Sequence, residues 1–281
     1  MSEFGSYSSI VPKTIQENVA FREKCLRAGF ASKEDARDLW MMCSRDLLFY
    51  TNVFCYTFNP RLSDREKRRP FITYPYQDEA LRCLSDCMGR NDLFIDKSRD
   101  MGATWMVLLA IEWRWHFHRN ETFLLVSRKE ELVDKPDDPK SLFWKVDFLH
   151  AMQPKWLLPT GYTPQDYRLK NHMLNPQTGS TIDGEATTGD VAAGDRRTAI
   201  FLDEFSRVRQ EEQLKVRASV NDASNCILYV GTPQGRDNEF YRVRESGIRK
   251  LTLHWSIHPI KSRGLYETSG DGKLKIVDDE Y

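Results

Sequence analysis

Short apolar segments alternate with longer helical patterns along the chain, and this alternation constrains the fold more than any other feature of the sequence. The apolar segments are residues 93–96, 123–127, 199–203 and 226–230. The helical patterns that separate them are residues 104–118, 140–152 and 209–219. Apolar strands joined through helices are typical of parallel sheets that are buried on both faces. We therefore predict an α/β fold with a mainly parallel central sheet.

Other regions depart from this alternation. Residues 13–58 have a helical pattern, in which Ser32 precedes acidic residues and is predicted to be an N-cap. Residues 59–75 are rich in Arg, Lys and Pro, which indicates a connector into the core. Residues 168–184 alternate polar and apolar side chains around a central turn and predict a β-hairpin. The glycine-containing, charged tail after Lys261 has the composition of a linker.

The composition is that of an ordinary globular protein and narrows the possible function classes. Of 281 residues, 40% are hydrophobic and 29% are charged. The 41 basic and 41 acidic residues balance, so any surface that binds nucleic acid must be local. No apolar run approaches the roughly 20 residues of a membrane span, and the amino terminus lacks a signal-peptide pattern. The six cysteines lack zinc-ligand spacing, and we expect reduced thiols in a cytoplasmic protein.

Residues 93–105 have the arrangement of a phosphate-binding loop, which consists of an apolar strand, a polar loop and the start of a helix. In such loops backbone N–H groups and a helix N-terminus converge on an anion. Thr104 has the position of the hydroxyl that binds Mg²⁺. The residues predicted to contact a nucleotide are Lys97, Ser98, Arg99, Asp100, Met101, Gly102, Ala103 and Thr104.

This loop departs from the usual pattern at two positions. Ala103 occupies the place of the usual lysine, and Lys97 or Ser98 replaces the first glycine. Charge that develops on transferred phosphates must be neutralised, so we expect Lys97 and Arg99 to supply the cation from the other end of the loop. Taken alone, the segment also fits an ordinary strand–turn–helix with surface charges.

A pair of acids, Asp203 and Glu204, ends the apolar strand that begins near residue 199. The carboxyl ends of the strands are where α/β sheets bind their ligands. We predict that Asp203 holds Mg²⁺ and that Glu204 acts as the general base that activates water. A strand that simply ends in a charged turn is the alternative.

Two further segments complete a set in a fixed order. Thr232 follows the strand at 226–230, and we predict that it couples the γ-phosphate to the rest of the fold. Upstream of the loop, Gln77 can hydrogen-bond the adenine edge, while Tyr76 or Tyr74 can stack on the base. Each segment alone fits an ordinary turn or loop. Their order along the chain favours an ATPase with ATP and Mg²⁺ as its ligands.

These motifs resemble those of the large terminase subunits of tailed bacteriophages over roughly residues 70–266. The lysine-shifted loop of the form KSR-x-x-G-x-[ST] is the most specific of them. The matching segments are Pro75-Tyr76-Gln77, residues 97–104, residues 200–204, residues 231–235, His258-Pro259 and residues 264–266.

The resemblance implies a P-loop NTPase of the RecA/ASCE type, a three-layer sandwich that carries a helical N-terminal subdomain. It divides the chain into a helical subdomain (1–65), an ATPase core (66–262) and a linker (263–281) toward a nuclease domain. We expect no nuclease activity from this chain. The implied activity is ATP-driven translocation of double-stranded DNA into a procapsid, in the host cytoplasm. The implied partners are the portal protein, the small terminase subunit and further copies in a pentameric ring.

Such rings complete each active site with an arginine from the neighbouring subunit. Arg196 and Arg197 are our candidates for this role, and Arg128 is the second choice. The basic clusters at 61–69 and 242–250 could contact DNA phosphates, although solvated surfaces explain both clusters as well.

Two other functions compete with the packaging motor. The first is a helicase-like ATPase that remodels duplexes, but the motifs of a second RecA-like domain do not follow residue 235. The second is a nucleotide-binding scaffold that does not hydrolyse. Ala103 supports the scaffold, whereas Glu204 argues against it because a scaffold needs no water-activating base.

Overall fold

The computed structural model describes residues 6–187, 191–263, 266–268 and 270–276. Within these ranges the strands are β1 (Tyr56–Phe58), β2 (Arg68–Pro70), β3 (Leu93–Lys97), β4 (Thr122–Ser127), β5 (Arg168–Leu169), β6 (His172–Leu174), β7 (Thr181–Ala186), β8 (Ala199–Leu202), β9 (Ile227–Gly231), β10 (Arg249–Leu253), β11 (Tyr266–Thr268) and β12 (Leu274–Ile276). The α-helices are α1 (Ile15–Ala31), α2 (Lys33–Arg45), α3 (Leu47–Phe54), α4 (Pro75–Cys87), α5 (Ala103–Phe117), α6 (Glu130–Val133), α7 (Leu142–Ala151), α8 (Pro164–Tyr167), α9 (Gln210–Ala223) and α10 (Glu239–Glu245). Three 3-10 helices lie at Ser6–Ile10, Phe205–Arg207 and Trp255–Ile257.

The central sheet has the strand order β10-β3-β9-β8-β4-β7-β6-β5. The strands from β10 to β7 are parallel, and β6 and β5 are antiparallel at one edge. The predicted α/β class with a mainly parallel sheet is thus confirmed. Strand β9 lies between β3 and β8, although it follows both of them in the sequence.

Helices cover both faces of this sheet, as the side chains of β3 illustrate. Leu93 and Ile95 pack into the core beneath α3, α4, α5 and α7, whereas Phe94 packs into a second core beneath α9 and α10. Successive side chains of a strand point to opposite faces, so an apolar run fills both cores at once. The result is the predicted three-layer sandwich. All six cysteines are free and buried.

The amino-terminal region is helical, as predicted, and it packs onto the core beneath α5. Ser32 caps α2 and accepts hydrogen bonds from the backbone N–H groups of Glu34 and Asp35 at 3.1 and 3.3 Å. Every residue of α3 is buried, and its apolar side chains belong to the same core as Leu93 and Ile95. No helix within the described ranges is long and apolar enough to cross a membrane.

Two of the segments predicted as irregular or as turns contain short strands. The connector includes β2, which pairs antiparallel with β1. Strands β6 and β7 form the predicted hairpin. In the tail, β11 and β12 pair antiparallel, so the region predicted as a linker contains a small hairpin. Residues 264 and 265, which belong to one of the segments that resemble terminases, lie outside the described residues.

A buried polar cluster joins α3, α5 and α7. The Tyr50 hydroxyl donates to Glu112 Oε2 at 2.7 Å, while His116 Nδ1 and His150 Nε2 lie 3.1 and 3.0 Å from Glu112 Oε1. The other nitrogen of His116 lies 2.9 Å from the Leu157 carbonyl oxygen. Burial raises the pKa of Glu112, but hydrogen bonds and charges from the two histidines outweigh burial and lower the pKa to about 2.

Candidate active site

Three neighbouring parallel strands bring together side chains that are far apart in the sequence. Because β9 lies between β3 and β8, the carboxyl ends of these strands are adjacent. Lys97 ends β3, Thr232 follows β9, and Glu204 follows β8 by two residues. The Lys97 ammonium lies 3.2 Å from Glu204 Oε1 and 3.4 Å from Thr232 Oγ1. The sheet therefore joins Lys97, Glu204 and Thr232, which were predicted from separate segments, in one hydrogen-bonded group.

A second contact joins the first turn of α5 to the other acid. Thr104 Oγ1 donates to Asp203 Oδ1 at 3.1 Å. Burial, followed by the charge of Glu204, raises the pKa of Asp203 to about 6, while Lys145, the Thr104 hydrogen bond and Lys97 act to lower it. A carboxylate beside a hydroxyl provides the hard oxygen ligands that Mg²⁺ prefers. The residues present therefore fit a magnesium ion.

The predicted phosphate loop has left-handed backbone at two residues. Asp100 has a φ of 56°, and Gly102, which is the N-cap of α5, has a φ of 80°. A Cβ added to Gly102 would lie 3.1 Å from the Gln77 amide nitrogen. Glycine is thus favoured here both by the backbone conformation and by the close approach of the Gln77 side chain.

The beginning of the loop is hydrogen-bonded to the end of β10, the strand beside β3, and to the segment that follows β10. The backbone N–H of Ser98 donates to the Leu253 carbonyl at 3.0 Å, and Ser98 Oγ accepts from the N–H of Trp255 at 3.1 Å. Arg99 is exposed, and its carbonyl oxygen accepts a hydrogen bond from Lys261. These two loop residues thus face β10 and the segment after it, and neither lines the adjoining pocket.

A pocket of about 650 Å³ opens beside the loop and reaches Lys97 and Thr104. Its aromatic end is formed by Tyr74, Tyr76 and His258. The two tyrosine rings are stacked with centroids 6.0 Å apart, and the His258 ring lies 5.2 and 5.8 Å from them. The pocket therefore combines an aromatic end with a phosphate-loop end, which is formed by residues of the predicted loop.

Two residues of the predicted adenine motif also have structural contacts. The Tyr76 hydroxyl donates to the Met101 carbonyl at 3.1 Å, which ties α4 to the phosphate loop. Gln77 Oε1 accepts from the Tyr74 N–H at 3.1 Å in a capping box. The amide oxygen of Gln77 is therefore used within the protein, and its NH₂ group remains on the side of Gly102.

Glu204 has a strained backbone and two cationic neighbours. Its φ of 51° lies in the left-handed region, which a residue other than glycine adopts at a cost of about 1–3 kcal/mol. Besides Lys97, Arg207 Nε lies 3.1 Å from Glu204 Oε2, but without hydrogen-bond alignment. Such strain is frequent at active sites, where the surrounding structure holds a reactive side chain in place.

The candidate arginines lie at different ends of the parallel strands. Arg196 and Arg197 precede β8 and so lie at the edge formed by the amino ends of the strands, opposite the phosphate loop. Arg197 forms ion pairs with Asp183 and Asp195, and Arg196 donates to two backbone carbonyls. Arg128 follows β4, is exposed, and lies at the same edge as the acidic pair. None of the three reaches the pocket of its own chain. Their predicted role in a neighbouring subunit stays a prediction.

Three side chains of this region, Lys145, Arg207 and His258, were not among the predicted site residues. Lys145 lies in α7 and lines the pocket. A lone lysine in an apolar helix carries no local signal of such a role. The His258-Pro259 segment was noted only as part of the family resemblance, and only the packing of its ring on Tyr74 and Tyr76 connects it to the site.

No protein-family model matches the chain, and no curated protein matches it significantly. The structure matches the large terminase of bacteriophage HK97 with a TM-score of 0.51 and 12% identity, over 82% of this chain and 45% of that chain. The large terminase of a thermophilic bacteriophage in complex with ADP matches with a TM-score of 0.45 and 16% identity, over 64% of this chain and 44% of that chain. An ATPase-domain mutant of the large terminase of a Thermus phage matches with a TM-score of 0.42 and 14% identity, over 68% of this chain and 85% of that chain.

The chain spans less than half the length of the HK97 large terminase and of the ADP-bound large terminase that it matches. At 12% identity, the HK97 match shows a common fold. The resemblance to large terminases is therefore confirmed at the level of the fold.

Proposed function

We propose that this chain is the ATP-hydrolysing motor domain of a large terminase subunit, which drives double-stranded DNA into a viral procapsid. The observation that carries the proposal is the meeting of two pairs, Lys97 with Glu204 and Thr104 with Asp203, beside one pocket. The fold that the chain shares with the HK97 large terminase agrees with it.

In this proposal the pocket binds ATP with its base at the aromatic end. Tyr74, Tyr76 and His258 provide rings for stacking, and the NH₂ group of Gln77 donates to the adenine edge. The phosphates then lie along the loop that ends at Gly102, where backbone N–H groups and the start of α5 favour an anion.

Thr104 and Asp203 would hold Mg²⁺, since their hydroxyl and carboxylate oxygens face one another. Bound there, Mg²⁺ supplies positive charge that neutralises the phosphate oxygens. The raised pKa of Asp203 follows from burial of its carboxylate without enough compensating charge, and a cation at this position removes that cost.

Glu204 acts as the general base, and Lys97 controls it. With the ammonium 3.2 Å from Glu204 Oε1, the carboxylate is held in an ion pair. A terminal phosphate that attracts Lys97 frees Glu204 to accept a proton from water. Lys97 also contacts Thr232, so the same movement changes the contacts at the end of β9 and can couple hydrolysis to the fold.

The wider assembly is part of the proposal. The motor acts as a pentameric ring on the portal protein, loaded with DNA by the small terminase subunit, in the host cytoplasm. Arg196, Arg197 or Arg128 completes the site of a neighbouring subunit, which can raise turnover by roughly 10³-fold or more. The location of Arg128 at the edge of the acidic pair favours it for contacts near the site.

Steady-state ATP hydrolysis with Mg²⁺ tests the proposal. We expect Glu204→Gln to lower kcat by roughly 10²- to 10⁴-fold while ATP still binds, because only the proton transfer is lost. Glu211→Gln, which changes an exposed glutamate of α9, is the matched control and should hydrolyse ATP normally. A specific rate that rises with protein concentration supports an arginine supplied by a neighbour.

Two results would redirect the assignment. Wild-type protein that binds ATP but hydrolyses none at any concentration is a nucleotide-binding scaffold. ATP-dependent separation of duplex strands in a displacement assay indicates a helicase-like enzyme instead of a packaging motor.

A further inference from the structure

Lys145 brings a cation into the pocket from α7, away from every motif of the sequence. Its side chain lines the pocket together with Ala103 and Thr104. Asp203 is the acid whose charge acts most strongly on it, followed by Asp138. The ammonium group therefore belongs to the phosphate-loop end of the pocket rather than to its aromatic end.

The ammonium group has protein partners for only part of its hydrogen-bonding capacity. It donates to the backbone carbonyls of Lys140 and Ser141 at 2.8 and 3.1 Å. An ammonium has three N–H donors, so one donor is left. Burial lowers the pKa of Lys145 to about 8, against the opposing charges of Asp203 and Asp138. A cation that has lost part of its hydration gains most from a bound anion.

The other lysine and arginine side chains that line the pocket already have carboxylate partners. Lys97 pairs with Glu204 at 3.2 Å, Arg61 with Asp100 at 3.2 Å, and Arg69 with Glu66 at 4.0 Å. Among the described residues, no carboxylate forms an ion pair with the Lys145 ammonium. Its charge is thus the one in this lining that the protein leaves unpaired within the described ranges.

The phosphate loop has a matching deficiency. Ala103 occupies the usual lysine position, and its buried methyl group carries no charge. The loop's own lysine, Lys97, is turned toward Glu204, and Arg99 lies outside the pocket. The start of α5 therefore faces the pocket with Thr104 but without a cation.

We infer that Lys145 binds the β- and γ-phosphates of the nucleotide and supplies from α7 the cation that Ala103 does not. The inference rests on the proposed function, since it requires a nucleotide in the pocket. Helix α7 thereby becomes part of the nucleotide-binding site, although no motif marks it in the sequence.

Nucleotide affinities of the variant Lys145→Met test the inference. We expect ATP and ADP to bind about tenfold more weakly or worse, because a charge-assisted hydrogen bond is lost. AMP has no β-phosphate and should bind within about twofold of wild type. Lys145→Arg should recover most of the affinity for ATP. Lys140→Met, which removes an exposed lysine just before α7, is the matched control and should bind all three nucleotides normally.

The possible outcomes separate the two levels of the argument. Wild-type protein that binds none of the three nucleotides contradicts the proposed function itself. Wild-type protein that binds ATP no more tightly than Lys145→Met overturns only the role of Lys145. An equal loss for ATP and AMP, with a lower Tm, also overturns it, since Lys145 then only holds the backbone carbonyls at the start of α7.

Discussion

Helix α5 has a cluster of carboxylate and donor groups near each end, and the two clusters differ in how far their carboxylates are hydrogen-bonded. Near its carboxyl end, Glu112 is 0% exposed, and its two carboxylate oxygens have three donor side chains around them. At its start, Thr104 meets Asp203, whose pKa is raised, and the neighbouring Glu204 has an oxygen without a hydrogen bond. Both oxygens of Glu112 thus accept hydrogen bonds from within the protein, whereas one oxygen of Glu204 accepts none among the described residues.

The difference separates polar groups around α5 that stabilise the fold from polar groups that are available to a ligand. Buried polar groups are nearly always hydrogen-bonded, because an unpaired group loses its hydration without compensation. A buried carboxylate whose two oxygens both accept hydrogen bonds, such as that of Glu112, stabilises the fold. A cluster that leaves an unpaired ammonium at Lys145, a strained Glu204 and a carboxyl with a raised pKa requires something that the chain itself does not supply.

The carboxylate of Glu112 is expected to contribute most to stability. Replacing Glu112 by Ala leaves three buried donor side chains, Tyr50, His116 and His150, without this acceptor, so we expect the free energy of unfolding to fall by about 3–5 kcal/mol. Urea denaturation at neutral pH measures this. Asp203→Asn is the contrasting variant and should change stability by less than about 1 kcal/mol or increase it, because the fold disfavours the Asp203 charge. A greater loss from Asp203→Asn than from Glu112→Ala contradicts the comparison.

The pH dependence of stability gives the next largest effect. Glu112 has a folded pKa of about 2, below its ordinary value of 4.5. Its contribution is therefore complete above the ordinary value and is lost as the pH falls toward the folded one, by on the order of 3 kcal/mol. Unfolding curves of wild type between about pH 5 and pH 2 should be steeper in pH than those of Glu112→Gln. Parallel curves for the two proteins would show that Glu112 is not held as a carboxylate.

Local features of the sequence predicted the fold and much of the candidate site. A run such as Leu93 to Ile95 is apolar at successive positions, so both faces of its strand must be buried, and that alone indicates a covered parallel sheet. Asp203 and Glu204 are found in the same way, because the end of an apolar strand is visible in the sequence and the ligand edge of a parallel sheet follows from it.

The rest depends on contacts between distant segments. Nothing near Lys145 indicates that α7 carries its ammonium to the phosphate loop, since this follows from how the helix packs on the sheet. The meeting of Lys97 with Thr232 requires that β9 insert between β3 and β8, which is a property of strand order and not of either segment. Arg196 and Arg197 are the opposite case. They are close to Asp203 and Glu204 in the sequence, but β8 separates them, so they lie at the other end of that strand.

The smallest effect is expected from a change at Gly102, beside the cluster at the start of α5. Gly102 and Gly161 both have a φ of 80°, but an added Cβ meets Gln77 at Gly102 and nothing within 4 Å at Gly161. Both Gly→Ala variants should lose about 1 kcal/mol of stability, because an L-residue pays for left-handed backbone. Only Gly102→Ala should also weaken ATP binding, since its methyl group crowds Gln77 and displaces the loop. Equal ATP affinities in the two variants would mean that the contact between Gln77 and the loop contributes to stability alone. The cluster at the start of α5 would then not extend to the aromatic end of the pocket.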